Sequence, residues 1–174
     1  MSMPAYRRIA SLKDVDEFRT YVATLSLDLP CDDTILTGHA SPLWRPLQVY
    51  GRRVGNRWTA QPMEGWDATV TGGITEPLLR RWQRIGSSGA KIVWGEAMAV
   101  RPDGRANPHQ LVISPENRHD LERLRNAVLD AHRERYGTTA DLLLGFQLTH
   151  SGRFSRPFGH PEPRVAFRHP LLDR

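Results

Sequence analysis

Three short polar segments in this 174-residue chain each follow an apolar run and hold side chains able to do chemistry. They are Gln61-Pro62-Met63-Glu64-Gly65-Trp66, Glu96-Ala97-Met98-Ala99-Val100 and Gln147-Leu148-Thr149-His150-Ser151-Gly152-Arg153. An amide such as Gln147 offers both a donor and an acceptor to one ligand edge. Placed directly after Leu142-Leu143-Leu144-Gly145-Phe146, it needs a partner, because a polar group set against apolar chain is costly unless hydrogen-bonded. In parallel α/β folds ligands gather beyond the carboxyl ends of strands, so three marked strand ends in succession point to one shared site. Metal and thiol chemistry find no support. Cys31 is the only cysteine, which excludes an intramolecular disulfide and a cysteine-based zinc site.

The elements that must position these segments follow from periodicity. Residues 11–27 read as an amphipathic helix with Ser11 as cap, Asp14 three residues on, and Val15, Phe18, Val22 and Leu25 on one face, ended by Pro30. Residues 30–46 read as irregular chain, and 47–55 carry a hairpin signature around Gly51. A short strand over 57–61 stops at Pro62. A helix capped by Thr75 has Pro77 in its first turn and Leu78, Leu79, Trp82 and Ile85 on one stripe, with Gly86 as its stop. Strand 91–95 is almost continuously apolar, as in a parallel sheet. After a Pro/Gly-rich loop at 101–108, Ser114 as cap and Pro115 at the first helical position open a helix with Leu121, Leu124, Val128 and Ala131 inward and Gly137 as terminator. Strand 142–146 closes the series. Strand–helix–strand–helix–strand means parallel βαβ units in an α/β domain. The expected division is an N-terminal helical extension over 1–45 and the α/β part over 46–174.

Composition narrows the classes. Lys and Arg total 24 against 19 Asp and Glu, a net charge of +5, and the pI is about 10.0. The excess is mostly Arg spread in pairs such as Arg7-Arg8, Arg52-Arg53 and Arg80-Arg81, without a dense stripe or reading motif, so no nucleic-acid partner is expected. No apolar run approaches the roughly 20 residues of a membrane span, and the first residues lack the apolar centre of a secretory leader. No membrane association and a cytoplasmic location are the expectation.

The three segments in order resemble the N-terminal part of the old yellow enzyme family, FMN-dependent NADH:flavin oxidoreductases built on a TIM barrel. The matching stretches are "GNRWTAQPM", "GEAMAVRPDGRANP" and "GFQLTHSGR", spread from about Pro46 to Arg174. The resemblance implies a TIM (β/α)8 barrel fold, present here as about the first three β/α units. It implies that Pro62 and Met63 lie near the flavin ring, that Ala97 lies against it, and that Gln147 bonds its pyrimidine edge. FMN is then the cofactor, NAD(P)H the reductant, and a small-molecule electron acceptor the other partner. Read from the residues alone, Pro62 and Met63 equally end a strand and fill a core. Trp66 stands at a substrate-lining position by resemblance, with core packing an equal reading. Glu96 is either an acceptor behind the site or a member of an internal ion pair. His150 and Arg153 are expected to brace loops. Glu64 occupies a position where some relatives carry a flavin-tuning thiol.

The same resemblance shows what this stretch lacks. The family's His followed three positions later by His or Asn, which grips a substrate carbonyl, is not found after Gln147, since His150, His160 and His169 are spaced otherwise. The downstream proton-donating Tyr is missing as well, the last tyrosine being Tyr136. The catalytic residues are therefore expected downstream, and the chain reads as a truncated N-terminal segment that binds FMN weakly or not at all on its own. A second expectation is a non-catalytic half-barrel that functions by self-association or by joining a complementary chain.

Overall fold

The computed structural model describes residues 6–173. Residues 1–5, part of the stretch expected to lack a secretory leader, and Arg174, the end of the resembling stretch, lie outside the described residues. The chain divides into two compact units, Met1–Ser41 and Pro42–Arg174.

The first unit contains helix α1, Val15–Thr24. Its cap is Asp14, not Ser11: the Asp14 carboxylate accepts the Glu17 N–H at 2.8 Å, while Glu17 reaches back to the Lys13 N–H at 2.8 Å. This is a capping box displaced by three residues from the expected one. Ser11 instead closes a single 3-10 turn, its hydroxyl donating to the Arg8 carbonyl at 2.7 Å. The helix stops well before Pro30, because Ser26 turns into the left-handed region at φ 55°.

The second unit opens with a hairpin of β1, Leu47–Val49, and β2, Arg52–Val54, paired antiparallel. Tyr50 and Gly51 form its two-residue turn, both at positive φ (47° and 76°), as a type I′ turn demands. Then come β3, Thr59–Ala60; α2, Glu76–Gly86; β4, Ile92–Ala99; α3, Arg118–Tyr136; and β5, Leu143–Thr149. The three later strands form a parallel sheet in the order β3-β4-β5, so the βαβαβ reading holds. β3 is shorter than expected, and β4 and β5 both run on through Ala97 and Gln147, residues expected just beyond the strands.

α2 forms as its sequence dictates. Thr75 caps it, Pro77 sits in the first turn, and Leu78 and Trp82 are buried. α3 starts later than expected: Asn117 is its N-terminal flanking residue, whereas Ser114 accepts the Asn117 N–H at 3.3 Å and so caps a turn ahead of the helix. Gly137, at φ 77°, ends α3 by donating its N–H to the Arg133 carbonyl at 2.8 Å. Both helices cover one face of the sheet. Leu78, Trp82, Leu124 and Val128 pack with Val93 and Met98 of β4, and Leu144 and Phe146 of β5 lie against them. The helices touch so closely that a Cβ on Gly86 would stand 2.5 Å from the Val128 carbonyl oxygen.

At the amino ends of the strands a polar cluster replaces apolar packing. His132, fully buried on α3, contacts the Gly86 carbonyl through Nδ1 at 2.8 Å and Lys91 Nζ through Nε2 at 2.9 Å. Lys91 Nζ also donates to Asp141 at 2.8 Å, and the Tyr136 ring lies 4.7 Å from the imidazole. Nδ1 must therefore carry the proton and Nε2 the lone pair. Burial pulls the His132 pKa below its ordinary 6.5; the Gly86 bond opposes this, Lys91 reinforces it and Asp141 opposes it. A folded pKa depressed in this way gives a stability contribution that is full above 6.5 and is lost as pH falls through the folded value. The urea midpoint should accordingly drop on acidification below 6.5, and His132→Gln should lower the midpoint at neutral pH and flatten that slope. An unchanged slope would show that His132 is not the titrating group.

Candidate functional site

The sheet face turned away from the helices carries the expected residues, and one irregularity puts them there. Between β4 and β5 the register runs Gly95 opposite Phe146 and then Ala97 opposite Gln147, leaving Glu96 as an extra residue. Val93 faces the helices, so strict alternation would turn Glu96 to the open face and Ala97 inward. The bulge at Glu96 reverses the phase. Glu96 stays on the helix side, Ala97 joins Gln147 on the open face, and Met98 returns to the core at 0% exposure. Trp94 and Gly145 share that open face, with the indole over the glycine so tightly that a Cβ there would meet it at 2.9 Å.

Gln147 is half-buried, and its amide takes part in no hydrogen bond among the described residues. Ala97 beside it is buried, and its carbonyl is already taken by the Gln110 amide at 3.0 Å. Pro62 and Met63 follow β3, the other neighbour of β4; Pro62 is half-buried and Met63 is 72% exposed, so Met63 fills no core. Trp66 is 71% exposed, which excludes the core-packing reading for it as well.

The strand-end loops are tied to one another by buried polar groups. Glu64 Oε1 accepts the Trp66 indole N–H at 2.9 Å and the Asn107 amide at 3.0 Å, and its Oε2 accepts from Gln110 at 3.3 Å. Gln110, with no exposed surface, also lies 3.3 Å from the Thr149 hydroxyl, and its own carbonyl oxygen accepts the Ala106 N–H at 2.8 Å. One side chain thereby links the loop after β3, the loop after β4 and the end of β5. Arg105, 6% exposed, donates to the carbonyls of Val70, Pro102, Pro108 and Pro157. Glu96 resolves as an ion-pair member: Oε2 accepts the Trp82 indole N–H at 2.9 Å and lies 2.9 Å from Arg81, which bridges to Asp67 at 2.7 Å. Burial pushes the Glu96 carboxyl above its ordinary pKa, against the Trp82 and Arg81 bonds that pull it down. His150 and Arg153 are spent locally. His150 accepts the Gly152 N–H at 3.0 Å, and Arg153 pairs with Asp173 at 2.5 Å beneath the Phe167 ring. Among the described residues no three His, Cys, Asp or Glu groups come together as a metal site, and no helix is long and apolar enough to cross a membrane.

No protein-family model and no curated protein sequence matches this chain. Solved structures do. A 2-naphthoyl-CoA reductase in complex with 2-naphthoyl-CoA superposes over 67% of this chain with a TM-score of 0.58 and 15% identity. Old yellow enzyme from Pichia sp. AKU4542 covers 66% at 0.52 and 16% identity, and the Zymomonas mobilis homologue covers 64% at 0.52 and 23%. The described strands and helices share the fold of the matched part of these enzymes. At these identities the likeness carries the fold and nothing finer. The matched region makes up 16% of the reductase and 28% of each of the two old yellow enzymes, so this chain spans a minor part of their length.

Ala97 and Gln147 meet side by side, while Pro62, Met63 and Trp66 stand on the adjacent strand-end loop. The sequence reading missed Gln110, Asn107, Arg105 and the Asp67–Arg81 bridge. A signal existed for Gln110, an amide immediately before Leu111-Val112, which are both buried. Gln110→Met keeps the volume but leaves the Ala97 carbonyl and the Ala106 N–H unpaired, and should cost about 1–3 kcal/mol in urea unfolding. A change below about 0.5 kcal/mol would mean the network carries no such weight.

Proposed function

We propose that this chain supplies the flavin-ring wall of an FMN-dependent oxidoreductase of the old yellow enzyme type. The observation that carries the reading is the pairing of a small buried side chain, Ala97, with a half-buried amide free of other hydrogen bonds, Gln147, at the carboxyl end of two parallel strands. That pair suits a flat heteroaromatic ring. Ala97 lets the ring approach the sheet, and Gln147 presents a donor and an acceptor in one plane to an edge that needs both. Pro62 and Met63 complete an apolar border, and Trp66 lines the substrate side. The chemistry FMN supplies when bound is hydride transfer from NAD(P)H to an activated alkene or similar small-molecule acceptor. Glu64, where a thiol could tune a flavin, here holds Trp66 and Asn107 in place. Substrate activation and proton donation fall to groups outside this stretch, in a cytoplasmic setting with neither nucleic acid nor membrane as partner.

An open (β/α) segment also favours a second reading, a non-catalytic half-barrel that works through a second copy or a complementary chain. β3 and β5 each pair on one side only among the described residues, and Trp94 on the uncovered face is 43% exposed. Such edges and faces are templates for association. A monomer by sedimentation at tens of micromolar, a rough choice for weak pairs, would remove the second copy as its partner.

The flavin reading is tested by fluorescence titration of the 174-residue chain with FMN and with riboflavin. Ring contacts alone should give saturable binding of both with Kd above about 1 μM, equal within about threefold. Gln147→Leu should weaken both at least about tenfold, the scale of one lost hydrogen bond, while the urea midpoint stays put. Binding that is insensitive to Gln147, or none by about 1 mM, would remove the flavin wall from this face.

A further inference from the structure

The three strand-end loops line a recess of about 220 Å³. Its lining comes from the loop after β3 through Trp66, from the loop after β4 through Asn107, Pro108 and His109, and from the loop after β5 through Arg156. The volume lies below the roughly 300–1,000 Å³ of pockets for drug-sized ligands, so it fits one small molecule or one end of a larger one.

The lining groups differ in what they have left to offer. Trp66 has its indole N–H committed to Glu64, which fixes the ring while leaving it 71% exposed. Asn107 is spent, its amide donating to Glu64 at 3.0 Å and its oxygen accepting the His109 N–H at 2.8 Å. His109 Nδ1 faces the Ala68 carbonyl at 2.9 Å, so it carries the proton and leaves Nε2 open. The Arg156 guanidinium is exposed and pairs with no carboxylate among the described residues. Glu64, which holds Trp66 and Asn107, has both oxygens occupied. The recess thus combines a fixed aromatic wall with an unspent planar cation.

We propose that this recess binds the anionic end of a planar conjugated carboxylate, its π-system on the Trp66 indole and its carboxylate on the Arg156 guanidinium. Arg is suited to the task because its planar fork meets a carboxylate with two parallel hydrogen bonds. An exposed indole held rigid by its own N–H bond gives stacking area at little entropic cost. The inference deepens the substrate-lining role of Trp66 and rests on that part of the functional reading, while requiring no flavin.

The test uses the 174-residue chain, cinnamate as probe and cinnamamide as its uncharged counterpart, with binding followed at the Trp66 indole N–H by NMR and by calorimetry. Cinnamate should bind saturably at about millimolar Kd or tighter, shifting the Trp66 resonance, and cinnamamide should bind at least about tenfold more weakly. Arg156→Gln should bring cinnamate down to the level of cinnamamide, Arg156→Lys should restore part of the gap, and Arg53→Gln should change nothing. Equal binding of acid and amide, an unmoved Trp66 signal or indifference to Arg156→Gln would each overturn the proposal. Should Arg156→Gln fail to fold, the acid-to-amide ratio on the unaltered chain decides alone. Since Gln147→Leu reports on flavin and Arg156→Gln on the carboxylate, failure of one leaves the other legible.

Discussion

A single extra residue in β4 governs which side chains meet at the mouth of this sheet. Glu96 is held on the helix side because its carboxylate is the shared acceptor of the Trp82 indole and the Arg81 guanidinium. A buried carboxylate stripped of both donors would be severely destabilising, so the bulge cannot relax without breaking that cluster. Arg81 passes the constraint on to Asp67, and thus to the loop that bears Met63 and Trp66. Gly65 packs against this cluster, and a Cβ there would press on the ends of the Arg81, Asp67 and Glu96 side chains, all within 2.8 Å. The register of one strand and the path of the neighbouring loop are set by the same few polar atoms.

Buried polar groups do this at both ends of the sheet, with different consequences. At the carboxyl ends, Gln110 and Arg105 bind mostly to main-chain carbonyls and amides, so they set loop shape. At the amino ends, Lys91 contacts both His132 and Asp141, and burial lowers the His132 pKa, so that end answers to pH.

What the sequence revealed depended on whether the determining interaction was local. α2 was legible because Thr75, Pro77 and the Leu78–Trp82 stripe all act within a turn or two of one another. The hairpin was legible because a two-residue loop with Gly51 admits few geometries. The cap of α1 was misplaced because Ser11 and Asp14 both satisfy the local rule, and Glu17 chose between them by reaching Lys13. α3 was begun too early because Ser114 and Pro115 are a valid start for a turn that then fails to continue as helix. The bulge left no local mark, since its cause lies in α2, fourteen residues away at Trp82. Ala97 and Gln147 were therefore named through resemblance to a family motif, and their actual meeting on one face depends on a contact that no periodicity encodes.

The two faces of this sheet divide the labour. Val93, Met98, Leu144 and Phe146 commit one face to the helices, and packing there tolerates little change. The other face holds Trp94, Gly145, Ala97 and Gln147, of which only Ala97 is fully buried. Side chains on that face support folding weakly and are free to be chosen for what they bind. A half-buried amide beside an alanine and a glycine is a poor stability element, since it buries little apolar area and leaves polar atoms without partners. The proposed flavin edge would supply the donor and acceptor partners that the Gln147 amide lacks among the described residues.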